Sequence, residues 1–391
     1  MMRQAIPLLF ATAVLANAAF GQTDGEALQS AFINGVQQLE SGNAEQAESI
    51  FREMLKSTGS PRLKLELART LFLRGKYKEA KALFEEVSMQ TDTPWRVRDN
   101  IQTFVRTIEE RTGYLKFGVT VISDSNPGSL PAQKEFSIGG LQVTPTEAPK
   151  KLTGLRYSMR VWLPFSESGR SAGYLTASYS DFPGQDIDRL TIDAGAIRAL
   201  TDSGRVRAKA GIEAGTLAGK PLYFFPYLGL DSVLAQTDTA RLTGELKAGK
   251  VLFPDFNYLD ADYTSLAISA RKSISQFSAL SLSGTIENSN ANERPYSYSS
   301  WDLGPGIDTF WLNAAYLVGA RASTGMRRYE QTDPLFGKQR SDSKTKLELT
   351  VGNKRWRWWN RYASLVASYE RNASNIEFFS YRKTNFSVVV E

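Results

Sequence analysis

The stretch "GRVRAKAGIEAG" (residues 204–215) alternates charged and apolar side chains with a period of two. Arg205, Arg207, Lys209 and Glu213 share one parity, and the residues between them are apolar or small. Because successive side chains of a strand point to opposite faces, this period predicts a strand with one charged and one apolar face. Such a strand fits either a soluble sandwich or the wall of an outer-membrane barrel, and one strand alone does not distinguish them.

Working outward from this strand, similar alternating runs continue through residues 113–391, separated by turn-rich stretches. At about 20 residues for a strand and its connection, this length predicts about 14 strands. Short connections alternate with long ones at 124–153, 252–263, 288–300 and 330–343, which is typical of a barrel. Aromatic clusters at 222–227, 309–312 and 355–359 lie at predicted strand ends, as an interfacial girdle would. The sequence therefore predicts an antiparallel transmembrane β-barrel of about 14 strands with a wet lumen.

The N-terminus predicts export to the cell envelope. Residues 1–21 contain Arg3, then an apolar run at 5–16 and small residues, as in a secretory signal peptide. The chain has no cysteine and no histidine, which excludes disulfides, thiolate nucleophiles, imidazole bases and Cys/His metal sites. No cofactor is expected. The net charge of +6 favours anionic surfaces such as lipopolysaccharide, and no nucleic-acid module is present.

Residues 22–112 change to helical periodicity and contain an internal repeat. Four residues recur 33 positions later: Gly42, Ala47, Phe51 and Pro61 become Gly75, Ala80, Phe84 and Pro94. This spacing resembles the tetratricopeptide repeat, a pair of antiparallel helices, and predicts a helical domain capped by residues 95–111. Its concave face would present Arg62, Leu65, Arg69 and Phe72 to a partner, the alternative being an ordinary helix surface.

Three stretches of the β-region go beyond periodicity: "GVTVISDSNP" (118–127), "RRYEQTDPLFGKQRSDSK" (327–344) and "ASYERNASNIEFFSYRK" (367–383). They resemble the surface lipoprotein assembly modulator (Slam) family. The motif residues are Asp333, Pro334, Leu335, Phe336, Gly337, Lys338, Arg340 and Asp342, followed by Ser374, Asn375, Ile376 and Tyr381. After the predicted signal peptide (1–21), the resemblance implies a periplasmic tetratricopeptide-like domain (22–112) and an outer-membrane barrel (113–391).

The same resemblance implies that the chain exports or displays surface lipoproteins, or soluble effectors such as metal- and haem-acquisition proteins, across the Gram-negative outer membrane. The implied partners are outer-membrane lipid and lipopolysaccharide, the client protein, periplasmic chaperones and the barrel-assembly machinery. The alternatives are a diffusion channel or porin with a periplasmic docking domain, and a soluble periplasmic scaffold. An enzyme is not expected, because no spacing singles out a carboxylate pair or a Ser–Lys pair.

Candidate site residues follow from these patterns. The stretch 330–343 is predicted to be a long loop, in which Asp333, Lys338, Arg340 and Asp342 form an ion-pair network that pins it as a plug or gate, the alternative being a solvated extracellular loop. Asp124, Asn126 and Pro127 are predicted to form the turn after the first strand. A basic lumen wall is predicted from Arg156, Arg160, Arg205, Arg207 and Lys209. Its charge would be compensated by Asp188, Asp193, Glu213 and Glu245.

Overall fold

The computed structural model describes residues 22–90, 93–131, 133, 135–138, 141–144, 148–166, 168–311, 316–358 and 361–390. The predicted signal peptide, residues 1–21, lies outside the described residues. The chain forms two compact units, which divide between Thr112 and Gly113.

The first unit contains five helices: α1 (Gln22–Glu40), α2 (Ala44–Ser57), α3 (Pro61–Leu73), α4 (Tyr77–Ser88) and α5 (Trp95–Thr112). Gly42 and Gly75 have positive φ angles of 89° and 74°, so each can turn the chain between the two helices of a pair. Pro61 begins α3, where the missing N–H breaks no helical hydrogen bond. Within the described part of the chain, no helix is long and apolar enough to cross a membrane.

The repeat positions form the core of this helical unit. Ala47, Phe51, Ala80 and Phe84 have no exposed surface. The packing is tight, since a Cβ added to Gly35 would lie 2.6 Å from Cε1 of Phe51. The α5 helix covers the second pair with its buried apolar residues Ile101, Phe104, Val105 and Ile108. The predicted tetratricopeptide-like domain and its capping helix are therefore confirmed.

The second unit is a closed antiparallel barrel of fourteen strands. In chain order the strands are β1 (Tyr114–Asp124), β4 (Leu152–Pro164), β5 (Ser171–Asp181), β6 (Arg189–Ala199), β7 (Val206–Leu217), β8 (Lys220–Gln236), β9 (Ala240–Val251), β10 (Ala261–Ser273), β11 (Ser278–Ala291), β12 (Tyr298–Trp311), β13 (Tyr316–Thr332), β14 (Gln339–Trp358), β15 (Arg361–Ser374) and β16 (Tyr381–Val390). A small hairpin, β2 (Phe136–Ile138) and β3 (Leu141–Val143), lies between β1 and β4. β16 pairs with β1 and closes the barrel, so the predicted fold class is confirmed.

The two faces of each strand differ as the sequence predicts. On β7, Ile212 faces outward with 56% of its surface exposed, whereas Arg207 and Lys209 contact acidic groups on neighbouring strands inside the barrel. Leu349 on β14 also faces outward, at 48% exposure. The apolar parity therefore forms the membrane-facing wall and the charged parity lines the lumen.

The two rims of the barrel carry different connections. Short turns such as 200–205 and 274–277 lie at the rim where β1 begins, and we call this the short-turn rim. The opposite rim carries the 27-residue connection between β1 and β4, residues 125–151, together with the turns after β13 and β15. We call it the motif rim, because all three family-like stretches reach it.

Two sequence predictions about the barrel are wrong in detail. The stretch 330–343 is not a long loop, since β13 continues to Thr332 and β14 begins at Gln339, which leaves a six-residue turn. The cluster at 222–227 lies within β8 and does not form a girdle as a whole. Phe224 faces outward, but Phe225 and Tyr227 are buried and face the lumen. Parts of the clusters at 309–312 and 355–359 lie outside the described residues.

Candidate functional site

The three family-like stretches converge at the motif rim, although more than 200 residues separate the first from the last. β1 ends at Asp124, which is in register with Asn385 of β16. The turn between β15 and β16 follows, and β14, which carries the other motif, pairs with β15. Barrel closure thus makes neighbours of motifs from the two ends of the β-region.

The turn after β1 is fastened to β16 through Asn126, which is 2% exposed. The Asn126 backbone N–H donates to Oδ1 of Asp124 at 2.8 Å, and its side-chain amide donates to the carbonyl oxygens of Leu130 at 2.7 Å and Arg382 at 3.4 Å. Lys383 also donates to Ser129 Oγ at 3.2 Å. The predicted turn residues Asp124 and Asn126 therefore also join the first strand to the last.

The most specific motif, Asp333–Asp342, contains turn chemistry followed by a lumen-facing ion pair. Oδ1 of Asp333 accepts the backbone N–H groups of Leu335 at 2.9 Å and Phe336 at 3.1 Å, an Asx-type turn. Gly337 supplies the positive φ of 64° that the turn needs. The predicted four-residue ion-pair network is wrong, because Asp333 caps this turn and Lys338 is exposed.

Of the four predicted residues, Arg340 and Asp342 do form an ion pair, and both face the lumen. Their side chains pair at 2.7 Å, and Asp342 is 6% exposed. The Arg340 guanidinium lies 3.4 Å from the ring centroid of Phe379 and 4.7 Å from that of Tyr329. Arg340 therefore ties β14 to the β15–β16 turn and to β13 by cation–π contacts.

Four phenylalanines from three connections pack together beside Arg340. We call Phe136, Phe336, Phe378 and Phe379 the rim aromatic cluster. Phe378 contacts Phe136 at 5.3 Å and Phe336 at 5.4 Å between ring centroids, and Phe136 is only 5% exposed. The long β1–β4 connection is thus held against the two motif turns. No sequence pattern marks Phe136, which lies in a stretch without periodicity.

The C-terminal motif residues hold the rim turns in place. Asn375 accepts the N–H of Ser341 at 2.8 Å and donates from its amide to the carbonyl of Gln339 at 2.8 Å. Ser374 Oγ accepts the N–H of Ile376, which is buried. Tyr381 donates to Glu370 at 2.8 Å, a carboxylate that also pairs with Lys344 at 3.3 Å and Lys383 at 3.8 Å.

The Phe378→Ala variant is expected to release the β1–β4 connection. Removing this ring deprives Phe136 of its aromatic partner, so trypsin should cleave between β1 and β4 several times faster than in the wild type. Limited proteolysis of the detergent-solubilised full chain measures this rate. Phe256→Ala is the control, because that ring is 44% exposed in the β9–β10 connection. Equal cleavage rates in the two variants would contradict the inference that the Phe136–Phe378 contact holds the β1–β4 connection in place.

The predicted lumen-facing cations line the wall at several heights. Arg156 donates to Ser180 Oγ at 3.1 Å, and Arg160 is in register with Lys116 and Thr176. Arg205 precedes β7, and its carbonyl accepts the N–H of Val233. Farther along the wall, Arg207 lies 4.0 Å from Asp231, and Lys209 lies 4.0 Å from Asp193 and 3.8 Å from Glu245.

The four predicted compensating carboxylates divide into two pairs. Asp193 and Glu245 lie beside Lys209, as expected. Asp188 instead accepts the Phe182 N–H at 3.0 Å in the β5–β6 connection, and Glu213 accepts the Tyr223 hydroxyl at 2.6 Å. The lumen wall therefore has locally paired charges of both signs.

The predicted groove of the helical unit needs correction. Leu65 and Phe72 are buried, at 6% and 7% exposure, and Phe104 of α5 packs on Phe72 at 5.2 Å between ring centroids. Arg62 remains exposed, with its guanidinium 4.7 Å from the Phe32 ring centroid, and Arg69 is half-buried beside Glu66 at 3.5 Å. The surface that remains for a partner is therefore basic and smaller than predicted.

Comparison with known proteins identifies the motif-bearing part of the barrel. Residues 261–391 match the family described as surface lipoprotein assembly modifier, and residues 38–96 match a tetratricopeptide repeat. Residues 261–391 form a surface lipoprotein assembly modifier domain. The resemblance predicted from the sequence is confirmed, and the surface lipoprotein assembly modifier domain comprises β10 to β16 with both motif turns. No curated protein gave a match to the chain.

Solved structures similar to the chain are outer-membrane proteins of low sequence identity. They include Pseudomonas aeruginosa OpdK with vanillate (9% identity, TM-score 0.40, covering 71% of this chain and 98% of that chain). A Pseudomonas aeruginosa FadL homologue has 11% identity and a TM-score of 0.37, covering 71% and 88%. Vibrio cholerae OmpT has 8% identity and a TM-score of 0.37, covering 71% and 98%.

The surface lipoprotein assembly modifier domain and the closed barrel together give the location and general role of the chain. It is an outer-membrane protein with a role in the assembly or translocation of lipoproteins.

Proposed function

We propose that the chain carries surface lipoproteins, or related soluble effectors that acquire metal or haem, from the periplasm to the cell surface. The observation that carries this proposal is the surface lipoprotein assembly modifier domain, which supplies β10 to β16, half of the barrel's strands. The same domain supplies both motif turns and the lumen-facing pair Arg340–Asp342.

The arrangement of the chain supports a direction for this transport. In the proposed division, residues 1–21 direct export, residues 22–112 form a periplasmic receiving domain and residues 113–391 form the barrel. β1 begins where the helical unit ends, so the short-turn rim would face the periplasm and the motif rim the exterior. Arg62 and Arg69 would contact the client or its chaperone, which suits a partner with acidic segments.

Deletion of the coding sequence in its native host tests the proposal. Candidate lipoproteins would be detected on intact cells with antibodies and by protease shaving. Display of the client should fall by about tenfold or more, because this barrel is the proposed path of the client across the membrane. Its total amount should not change. Re-expression of the full chain should restore display, and unchanged display of every candidate lipoprotein would remove this function in favour of a diffusion channel.

A further inference from the structure

One register joins inward-facing residues on nine neighbouring strands of the barrel, from β5 to β13. In order around the wall they are Tyr174, Gly195, Gly211, Tyr227, Gly249, Tyr263, Ser289, Tyr298 and Tyr329. We call this set the tyrosine–glycine row. Successive members are 9 to 31 residues apart in the sequence, so no local pattern reveals it.

The glycines of the row allow the tyrosine rings to lie against the wall. A Cβ on Gly195 would lie 2.6 Å from the Tyr174 hydroxyl oxygen, and a Cβ on Gly211 would lie 2.3 Å from the same oxygen. The hydroxyls are also fixed, since Tyr174 and Tyr227 share a hydrogen bond of 2.7 Å and Tyr227 donates to Asp193 at 2.8 Å. The end of the Tyr174 ring therefore lies against the wall, and the hydroxyls of Tyr174 and Tyr227 are held in place by hydrogen bonds.

Cations lie over the faces of these rings. The Lys209 ammonium is 4.9 Å from the Tyr174 centroid and 5.4 Å from the Tyr227 centroid. Toward the motif rim, Arg327 lies 4.1 Å from the centroid of Tyr298. Arg340 lies over Tyr329 in the same way.

The cations along the row pair in turn with carboxylates. The pairs are Lys209 and Lys247 with Glu245, Arg327 with Glu287, and Arg340 with Asp342, at 2.7 to 3.8 Å. The accessible surface along the row thus offers the hydroxyls of the half-buried Tyr174, Tyr263, Tyr298 and Tyr329, together with balanced, mutually paired charges, whereas Tyr227 and Ser289 are buried. The cations lie over the ring faces of Tyr174, Tyr227, Tyr298 and Tyr329.

The row also connects the two rims. Tyr174 is the fourth residue of β5, which starts at the short-turn rim. Tyr298 is the first residue of β12, which starts at the motif rim, and Tyr329 lies three residues from the end of β13 at the same rim. Because barrel strands tilt against the axis, a register line perpendicular to them climbs the wall. At the motif rim, Arg340 contacts both Tyr329, the last member of the row, and Phe379 of the rim aromatic cluster.

We propose that the tyrosine–glycine row is the path along which an extended polypeptide segment of the client crosses the barrel. This inference rests on the proposed function and names the surface that would contact the client. An extended backbone presents N–H and C=O groups in alternation, and hydroxyls and paired charges can satisfy both. Mutually paired surface charges bind weakly and exchange readily, and transit requires many weak sites with no deep one. A saccharide would need open aromatic faces, which Lys209, Arg327 and Arg340 occupy here.

Gly211→Ala tests the path in the full-length protein reconstituted in planar bilayers. The added methyl group must displace the Tyr174 ring end from the wall into the lumen. The probe is an unstructured Gly-Ser peptide with interspersed Glu and Lys, added on the side of the short-turn rim. The peptide is expected to interrupt the wild-type ion current, and its association rate should fall by about tenfold in Gly211→Ala. Tyr174→Phe in the same chain removes the clashing oxygen and should restore part of the rate.

Gly284→Ala is the matched control, because Gly284 has the outward parity of β11 and its nearest atoms would be 3.5 Å from the new Cβ. Heat-modifiable migration on gels shows that each variant is a folded barrel. Equal peptide association rates in wild type and Gly211→Ala would overturn the path, as would maltodextrin interrupting the current where the peptide does not.

The two proposals can fail separately. If the row controls the peptide association rate but display of lipoproteins does not depend on the chain, the proposed function fails and the path remains. If display depends on the chain but the row has no effect on the peptide, the path fails alone.

Discussion

Leu349→Arg is expected to lower the stability of the folded barrel in a bilayer by about 2–4 kcal/mol. Leu349 lies at the middle of β14 and faces outward, with Ala320 and Ala367 beside it in register. An arginine facing lipid near the bilayer midplane costs about 2–4 kcal/mol. The equilibrium constant for folding should therefore fall about 30- to 1,000-fold. Urea titration of the full chain in lipid vesicles, with heat-modifiable migration as the readout, measures this loss.

Thr350→Arg is the control for that measurement. Thr350 is the next residue of the same strand, in register with Gly319 and Val366, and it has the lumen-facing parity. An arginine there can reach water and the carboxylate of Glu348 two residues away on the same face. It should leave folding within about 1 kcal/mol of the wild type. A larger loss from Thr350→Arg than from Leu349→Arg would mean that the two faces of the wall are reversed.

The second large effect is expected in the helical unit, where Glu48→Gln should destabilise the repeat pair by about 1–3 kcal/mol. Glu48 is 4% exposed and accepts hydrogen bonds from Arg52 at 2.8 Å, Arg74 at 2.6 Å and Lys76 at 2.8 Å. These cations come from α2 and the turn between α3 and α4, so the carboxylate joins both repeats. A glutamine keeps the shape but removes the charge. Thermal unfolding followed by helical circular dichroism measures the loss.

The same carboxylate predicts a pH dependence. Burial by itself would raise the pKa of Glu48, but the hydrogen bonds from Lys76, Arg52 and Arg74 outweigh it and lower the pKa from 4.5 to about 2. A carboxylate with a lowered folded-state pKa stabilises the fold above its unfolded pKa and loses that contribution as the pH falls toward its folded pKa. The helical unit should therefore lose up to about 3 kcal/mol between pH 5 and 2.

Glu53→Gln is the comparison variant for both measurements, because Glu53 is largely exposed and pairs only along its own helix with Lys56. It should change the unfolding temperature little at neutral pH and leave the acid loss intact. In Glu48→Gln, the stability of the helical unit should no longer fall between about pH 5 and 2 through the protonation of this carboxylate. An unchanged acid profile in Glu48→Gln would assign the loss to other carboxylates.

The sequence predicted what depends on local periodicity. The alternation in residues 204–215 gave the two faces of β7, and the 33-residue repeat gave the buried positions of Phe51 and Phe84. The polar sequence of 330–343 predicts a loop, because a strand that extends beyond the membrane is polar on both faces and loses its alternating pattern. Arg340 and Asp342 lie on β14, but the residues that alternate with them, Ser341 and Ser343, are polar, so no apolar face marks the strand.

Features that depend on long-range pairing were not predictable. Leu65 and Phe72 have the spacing of a groove, and only the packing of Phe104 from α5 shows that this face is covered. The approach of Phe136 to Phe378 depends on closure between the first and last strands of the barrel. The tyrosine–glycine row depends on the register of nine strands, which a one-dimensional pattern does not contain.

The slope of the tyrosine–glycine row has a mechanical consequence. Between Tyr174 and Tyr329 the row passes over nine of the fourteen strands while it climbs from one rim to the other. A polypeptide that follows it would pass around more than half of the barrel's circumference while it crosses the bilayer. A client on this path would therefore need an unfolded stretch longer than the straight distance across the barrel.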